Sequence, residues 1–180
     1  PKGVEVTHDN LVNFVESMLA TPGMSASDTL VSVVTLSFDM AGYELYVPLA
    51  AGARIVVADR ETALDGRLLA KLIEAEGATV IQATPSTFRL LRAAGAKLDG
   101  VKVILGGEPL PPELARWLIG EGAQVWNGYG PTETTIFSTL FEVTHVDGAI
   151  PIGRPIGNTR TYVLGAHGEL VPIGVYGELF

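Results

Sequence analysis

Apolar positions along this chain follow two rhythms that alternate. In residues 7–19, Leu11, Phe14, Val15, Met18 and Leu19 recur three or four apart, which puts them on one face of a helix. Thr7 or Asp9 can cap that helix, and Pro22-Gly23 ends it. Residues 29–36 are instead a continuous β-branched-rich run, the mark of a strand buried on both faces. The alternation then repeats. Residues 53–58, after the turn Ala51-Gly52, read as a strand. Residues 65–76 read as a helix with Leu68, Leu69, Leu72 and Ile73 inward and Gly77 closing it. Strands follow at 79–83, 101–105 and 124–126, separated by helices at 85–94, opened by Thr84-Pro85-Ser86, and 111–120, started by two prolines. Short links between strands and helices predict right-handed βαβ crossovers and a mostly parallel α/β sheet with helices on both faces. A further strand is expected at 136–143. Beyond Val143 the rhythm changes: 151–156, 161–164 and 169–171 read as short antiparallel strands, with Ala166-His167-Gly168 as a hairpin turn. The chain is therefore expected to divide into an α/β unit, residues 1–145, and the beginning of a β-rich subdomain, residues 146–180.

Composition narrows the function classes. Nearly half of the 180 residues are hydrophobic and no low-complexity run interrupts them, so the chain is globular. A net charge of −8 without a dense basic cluster argues against nucleic acid as a partner. There is no cysteine, which excludes a disulfide framework and Cys-based metal sites and fits a cytoplasmic protein. No apolar run reaches membrane-spanning length, and the start is not a signal peptide. Gly-x-Ser-x-Gly, His-Glu-x-x-His and a strand-linked Gly-x-Gly-x-x-Gly are absent, and His8, His145 and His167 are scattered.

The residues with chemical potential gather at one place in the predicted topology. Asp39, Gln82, Gly106-Gly107-Glu108 and Asn127 to Thr135 all stand at or near the carboxyl ends of predicted strands, the edge where open α/β sheets bind ligands. Asp39 sits where a strand hands over to a helix, as an N-cap or as a carboxylate at the mouth of a pocket. The stretch Asn127-Gly128-Tyr129-Gly130-Pro131-Thr132-Glu133-Thr134-Thr135 reads as a loop between two strands. Its glycines and proline let the backbone turn tightly near a ligand. Tyr129 offers a flat ring, the threonines hydroxyls, and Glu133 a hard oxygen suited to Mg²⁺. Together these describe a nucleotide site.

That nonapeptide resembles the signature of adenylate-forming enzymes, specifically the adenylation domains of nonribosomal peptide synthetases, and with the further matches the resemblance covers essentially the whole chain. It implies a flavodoxin-like α/β subdomain followed by the start of the family's β-rich subdomain. It implies that Tyr129 lies along the adenine, that Thr132 contacts phosphate and that Glu133 ligates Mg²⁺, the last two being the catalytic pair. Gly107, Glu108, Asn127, Gly128 and Gly130 would complete the ATP site. Pro1-Lys2-Gly3 resembles the tail of the phosphate loop, so Lys2 would be its last basic residue. Phe38-Asp39 followed by Tyr43 resembles the substrate segment, in which Asp39 pairs with the α-ammonium of an amino acid. The side-chain pocket implied by alignment is Met40, Tyr43, Gln82, Ile104, Gly106, Gly128, Ile136 and Phe137. Gly106 and Gly128 would leave volume there; Gln82 and the Tyr43 hydroxyl, its polar groups, would bind a neutral polar tip or each other. None of these positions is charged, so the expected substrate is a neutral amino acid.

The implied reaction is amino acid plus ATP giving aminoacyl-AMP plus pyrophosphate, then transfer to the phosphopantetheine thiol of a carrier protein, within a larger synthetase that also holds condensation domains. The chain itself is expected to be monomeric. Two alternatives stand beside this: part of an aryl- or acyl-acid-activating ligase, against which Asp39 argues because its carboxylate would be buried unpaired, and a non-catalytic excised specificity subdomain. Both ends look cut. The body of the phosphate loop, the ribose-binding Asp, the hinge and the catalytic C-terminal Lys of the family are not found, so the isolated chain is expected to fold but to show little or no adenylation.

Overall fold

The structure is a computed structural model in which residues 3–180 are described. Lys2, expected at the nucleotide phosphates, lies outside the described residues. The chain opens with α1, His8–Met18, entered through a capping box. The Thr7 side chain accepts from the Asn10 N–H at 3.3 Å and the Asn10 amide oxygen accepts from the Thr7 N–H at 3.1 Å. A wider π-type turn, Leu19–Gly23, leads on to β1, Thr29–Ser32. Then follow α2 (Ala41–Ala51), β2 (Arg54–Val57), α3 (Arg60–Leu64), α4 (Gly66–Ala75), β3 (Val80–Ala83), α5 (Pro85–Ala93), β4 (Lys102–Leu105), α6 (Pro112–Gly120) and β5 (Gln124–Tyr129). The remaining strands are β6 (Thr139–Glu142), β7 (Arg154–Pro155), β8 (Val163–Leu164) and β9 (Glu178–Leu179).

Among the described residues the main sheet has seven strands in the order β2-β1-β3-β4-β5-β6-β7. The first five are parallel and run 2-1-3-4-5, the flavodoxin-like doubly wound order; β6 and β7 add antiparallel at one edge. Pleating sorts the strand residues between two cores. Val31, Ile81, Ala83, Val103 and Leu105 pack with Leu69 and Ile73 of α4, Phe88 and Leu91 of α5, and Leu114 and Leu118 of α6. Leu30, Val80 and Ile104 point the other way, onto Phe14, Val15 and Met18 of α1 and Tyr43 and Val47 of α2. Gln82 alternates onto this second face, the side on which Tyr43, Ile104, Ile136 and Phe137 pack.

Several expectations needed correction. β1 is four residues long and stops at Ser32, because the N–H groups of Val33 and Val34 turn to the carboxylate of Glu44. β5 runs on through Asn127, Gly128 and Tyr129, which pair with Phe141, Leu140 and Thr139, so a third of the expected loop is strand. β6 begins at Thr139, not at residue 136. The short helix α3, capped by Asp59 through the Thr62 N–H, was not anticipated, since five residues carry too little periodicity. Leu68, expected inward, lies on the flank of α4, while Leu69 and Ile73 are buried. The large sheet also continues past residue 145: β7 pairs with β6, and Ile156 donates to Ser138 at 3.0 Å. The expected hairpin is present: Leu170 bridges Leu164 antiparallel, Gly165 donates to the Glu169 carbonyl at 2.8 Å and Val171 to the Val163 carbonyl at 3.2 Å, and β8 pairs in addition with β9. The turn Ala166-His167-Gly168 is present, closed by the Gly168 N–H on the Gly165 carbonyl.

Candidate functional site

The carboxyl ends of β4 and β5 build the first wall of the site. Leu105 pairs with Asn127, so the next residues, Gly106 and Gly128, lie side by side on the face of α1 and α2. Just outside them opens a cleft of about 850 Å³ lined by Gly107, Glu108, Asn127, Gly128, Tyr129 and Gly130, with residues 109–112 and Ala149, Ile150 and Ile152. All six cofactor residues expected between 107 and 130 are therefore brought together. Gly107 has φ +77°, and a Cβ there would stand 3.1–3.2 Å from Phe38 and Met40, so the turn requires glycine. Tyr129 is 41% exposed and lines the cleft. The Glu108 carboxylate is engaged with α5, accepting the Ser86 hydroxyl at 2.9 Å with Arg89 at 4.0 Å. Asn127 is buried, and its amide donates to the Pro151 carbonyl at 2.8 Å. Its side chain thus ties β5 to the opposite wall while Asn127 also lines the cleft. That wall, Ala149, Ile150 and Ile152, escaped the sequence reading; its one signal was the pattern change after Val143.

Between β5 and β6 the chain makes one 3₁₀ turn, Thr132–Thr134. The Thr134 hydroxyl donates to Pro131 at 3.1 Å and meets the Ser138 hydroxyl, so it is used within the turn. Thr132 and Glu133 are exposed. The ion pairs among the described residues are Arg54–Glu76, Arg89–Glu108, Lys97–Glu121 and His145–Asp147, which leaves the Glu133 carboxylate outside all of them. Among the described residues no group of three or more carboxylates, histidines or cysteines is gathered for a metal. Glu133 could therefore offer one oxygen to a cation whose other ligands are phosphate oxygens and water. That donor set suits Mg²⁺, which keeps its waters and takes few protein ligands.

A second cleft, of about 360 Å³, flanks this turn and is lined by both Asp39 and Thr132, with His8, Phe38, Gly42, Tyr46 and Ile136. Asp39 does not cap α2. The cap residue is Met40, which makes no side-chain bond, and Asp39 contributes only its backbone carbonyl, accepting from Gly42 at 2.8 Å. Of the two readings of Asp39, the one that leaves its carboxylate to line the cleft matches the geometry.

The remaining pocket residues are together but filled. Tyr43, Gln82, Ile104 and Phe137 are at most 1% exposed, and Met40 and Ile136 are buried beside them. Gly106 and Gly128 were expected to leave volume; instead the ring of Phe137 takes it. A Cβ on Gly106 would stand 2.4 Å from Phe137 Cε1, and one on Gly128 3.0 Å from the same ring. Phe137 also packs against Tyr43 and Phe14, with ring centroids 6.5 and 6.2 Å away. Ile136 reaches in similarly, since a Cβ on Gly42 would meet its Cδ1 at 2.7 Å. The backbone bearing these side chains is unusual: Thr135 and Ile136 have φ of +68° and +67°, rare for β-branched residues. Gly130 serves the same packing, because a Cβ there would lie within 2.8 Å of the backbone of Ile136, Phe137 and Ser138. Tyr43 and Gln82 were expected to bind a ligand tip or each other, yet the Tyr43 hydroxyl and both polar atoms of the Gln82 amide have no hydrogen-bond partner. Burial raises the Tyr43 pKa and keeps its phenol protonated.

Comparison with known proteins identifies the family. The family model described as AMP-binding enzyme matches residues 1–180, and the chain belongs to that family. It is 43% identical over 182 residues to a dimodular nonribosomal peptide synthase of Bacillus subtilis (strain 168), aligning 100% of this chain with 8% of that protein. It is 41% identical over 184 residues to a PKS-NRPS hybrid synthetase of Aspergillus candidus, aligning 100% of this chain with 7% of that one. Its fold matches the crystal structure of a holo four-domain nonribosomal peptide synthetase bound to AMP and glycine with a TM-score of 0.94 at 38% identity, covering 99% of this chain and 14% of that one. The chain thus corresponds to a fragment of a nonribosomal peptide synthetase adenylation domain and spans less than a tenth of the length of these two curated relatives. Among the described residues no helix is long and apolar enough to cross a membrane.

Proposed function

We propose that this chain supplies the amino-acid and nucleotide sites of an amino-acid-activating adenylation domain, and that its amino acid is glycine. The observation that carries the reaction is the placing of two clefts along one hairpin loop. Tyr129 and Gly107 line one, Asp39 and Thr132 the other. An adenosine seated along Tyr129 and an ammonium on Asp39 direct the amino-acid carboxylate and the ATP phosphates toward the turn that joins the clefts. There the carboxylate oxygen attacks the α-phosphorus, the bond from that phosphorus to the bridging oxygen breaks, and pyrophosphate leaves with its electron pair. The chain's part is orientation and charge placement. Thr132 donates a hydrogen bond to a phosphate oxygen. Glu133 would hold Mg²⁺, whose contribution is neutralisation of phosphate charge. The aminoacyl group then passes to a phosphopantetheine thiol on a carrier protein of the same synthetase.

Glycine follows from the filled pocket. With Phe137 over Gly106 and Gly128 and Ile136 over Gly42, a larger substrate side chain directed at these glycines would have to displace a buried side chain. This narrows the neutral amino acid expected from the sequence to its smallest member. The glycine named for the 38% identical synthetase structure supports the same choice.

Glu133→Gln in a complete adenylation domain carrying this segment tests the nucleotide half. The exposed side chain makes no ion pair, so the melting temperature should stay within a few degrees, while kcat/KM for MgATP falls about a hundredfold. A collapsed melting temperature with unchanged activity per folded molecule would show that Glu133 is structural.

A further inference from the structure

Glu44 stands in the first turn of α2, five residues after Asp39, and its side chain is wholly buried. It is turned back onto the end of β1. Its oxygens accept the Ser32 hydroxyl at 2.8 Å, the Val33 N–H at 3.1 Å and the Val34 N–H at 3.0 Å. Ser32 is the last residue of β1, so these two N–H groups lie beyond the strand and find their acceptor in a side chain. From there to Met40 the chain has no strand partner. It is held by the Phe38 N–H on the Thr35 carbonyl at 2.9 Å and, at α2, by the Gly42 N–H on the Asp39 carbonyl at 2.8 Å. The segment that carries Asp39 is thus fixed at its far end by α2 and at its near end by a carboxylate from that same helix.

A buried carboxylate is a poor way to stabilise a fold. Burial pushes the Glu44 carboxyl up to about 7, against the pull of its hydrogen bonds from Val33, Ser32 and Val34. Because this lies above the ordinary value of 4.5, the cost to stability is full above about pH 7 and gone below 4.5. A group retained at that cost, closing the loop that ends in Asp39, acts on geometry.

We propose that Glu44 is the positioning residue of the amino-acid site: its buried carboxylate pins the chain leaving β1 and so sets where Asp39 stands in its cleft. The proposal rests on the reading of Asp39 as partner of the substrate ammonium. Glutamine at position 44 keeps one acceptor oxygen, which can still serve both N–H groups as Oε2 does at 3.2 and 3.0 Å, but puts an NH2 group where Oε1 accepts the shorter bond from Val33. Alanine leaves both N–H groups without an acceptor.

The test uses Glu44→Gln, Glu44→Ala and Asp39→Ala in a complete adenylation domain, measuring the KM for glycine, the KM for MgATP and the melting temperature at pH 8. Glu44→Gln should raise the glycine KM several-fold and Glu44→Ala by about tenfold or more, with the MgATP KM within about twofold. The melting temperature of Glu44→Gln should be unchanged or higher, because the burial cost of the charge is removed. An unchanged glycine KM in Glu44→Gln and Glu44→Ala, or both KM values rising together as stability falls, would overturn the positioning role. If Glu44→Ala does not fold, Glu44→Gln decides alone. Should Asp39→Ala leave the glycine KM untouched, the reading of Asp39 fails and this proposal with it; if Asp39→Ala raises it while the Glu44 variants do not, only the positioning role fails.

Discussion

Asp39→Ala, placed in a complete adenylation domain, should abolish most amino-acid recognition while leaving ATP binding intact. Asp39 lines its cleft with Thr132 and Ile136, and its carboxylate caps no helix. Under the proposed role, the carboxylate and the ammonium of a bound amino acid would be closed off together. Removing one partner of a buried charge pair typically costs about 2–5 kcal/mol, roughly thirtyfold to several thousandfold in affinity. The expected result is a glycine KM raised by at least that lower factor, with the MgATP KM unchanged and no loss of melting temperature. An unaltered glycine KM would remove Asp39 from the site.

Phe137→Ala should change which amino acid is used. The Phe137 ring occupies the space in front of Gly106 and Gly128, so its removal opens a cavity bordered by these glycines, Tyr43 and Phe14. Each methylene that a new substrate then buries is worth about 1–3 kcal/mol, so preference should move from glycine to a larger apolar amino acid by at least tenfold. The same truncation costs stability, about 3–5 kcal/mol for a buried phenylalanine. Phe88→Ala separates the two effects. Phe88 is equally buried but lies in the opposite core, with α4 and α6. It should match the stability loss and leave glycine preferred. A variant of Phe137 that is folded and still selects glycine would show that this side chain does not set the size of the pocket.

The parallel sheet was legible because its central strands are mostly buried and apolar on both faces, so 79–83 and 101–105 lie within a residue of β3 and β4. Chemistry at the carboxyl edge was legible for the same reason, since topology alone places Asp39, Gly107 and Tyr129 there. What the sequence hid was long-range pairing. Nothing local tells that Asn127, Gly128 and Tyr129 stay in a strand, because their partners are Phe141, Leu140 and Thr139 on a hairpin that closes later. Glu44 looked like one more acidic residue in a first helical turn; its burial depends on donors ten to twelve residues back. Glycines at 106 and 128 suggested room, and only the fold brings Phe137 in to fill it. The left-handed backbone at Thr135 and Ile136, which accompanies that filling, has no sequence signal at all, because both are residues that normally avoid it.

The most direct measurement is amino-acid-dependent ATP–pyrophosphate exchange by a complete adenylation domain containing these 180 residues, run over a panel of amino acids at a fixed MgATP concentration. Glycine should give the highest rate, alanine a lower one, and charged or bulky side chains little above background. Absence of exchange with any amino acid would contradict the activation of amino acids, and a maximum with Asp, Glu, Lys or Arg would contradict the closed, uncharged pocket on which the choice of substrate rests.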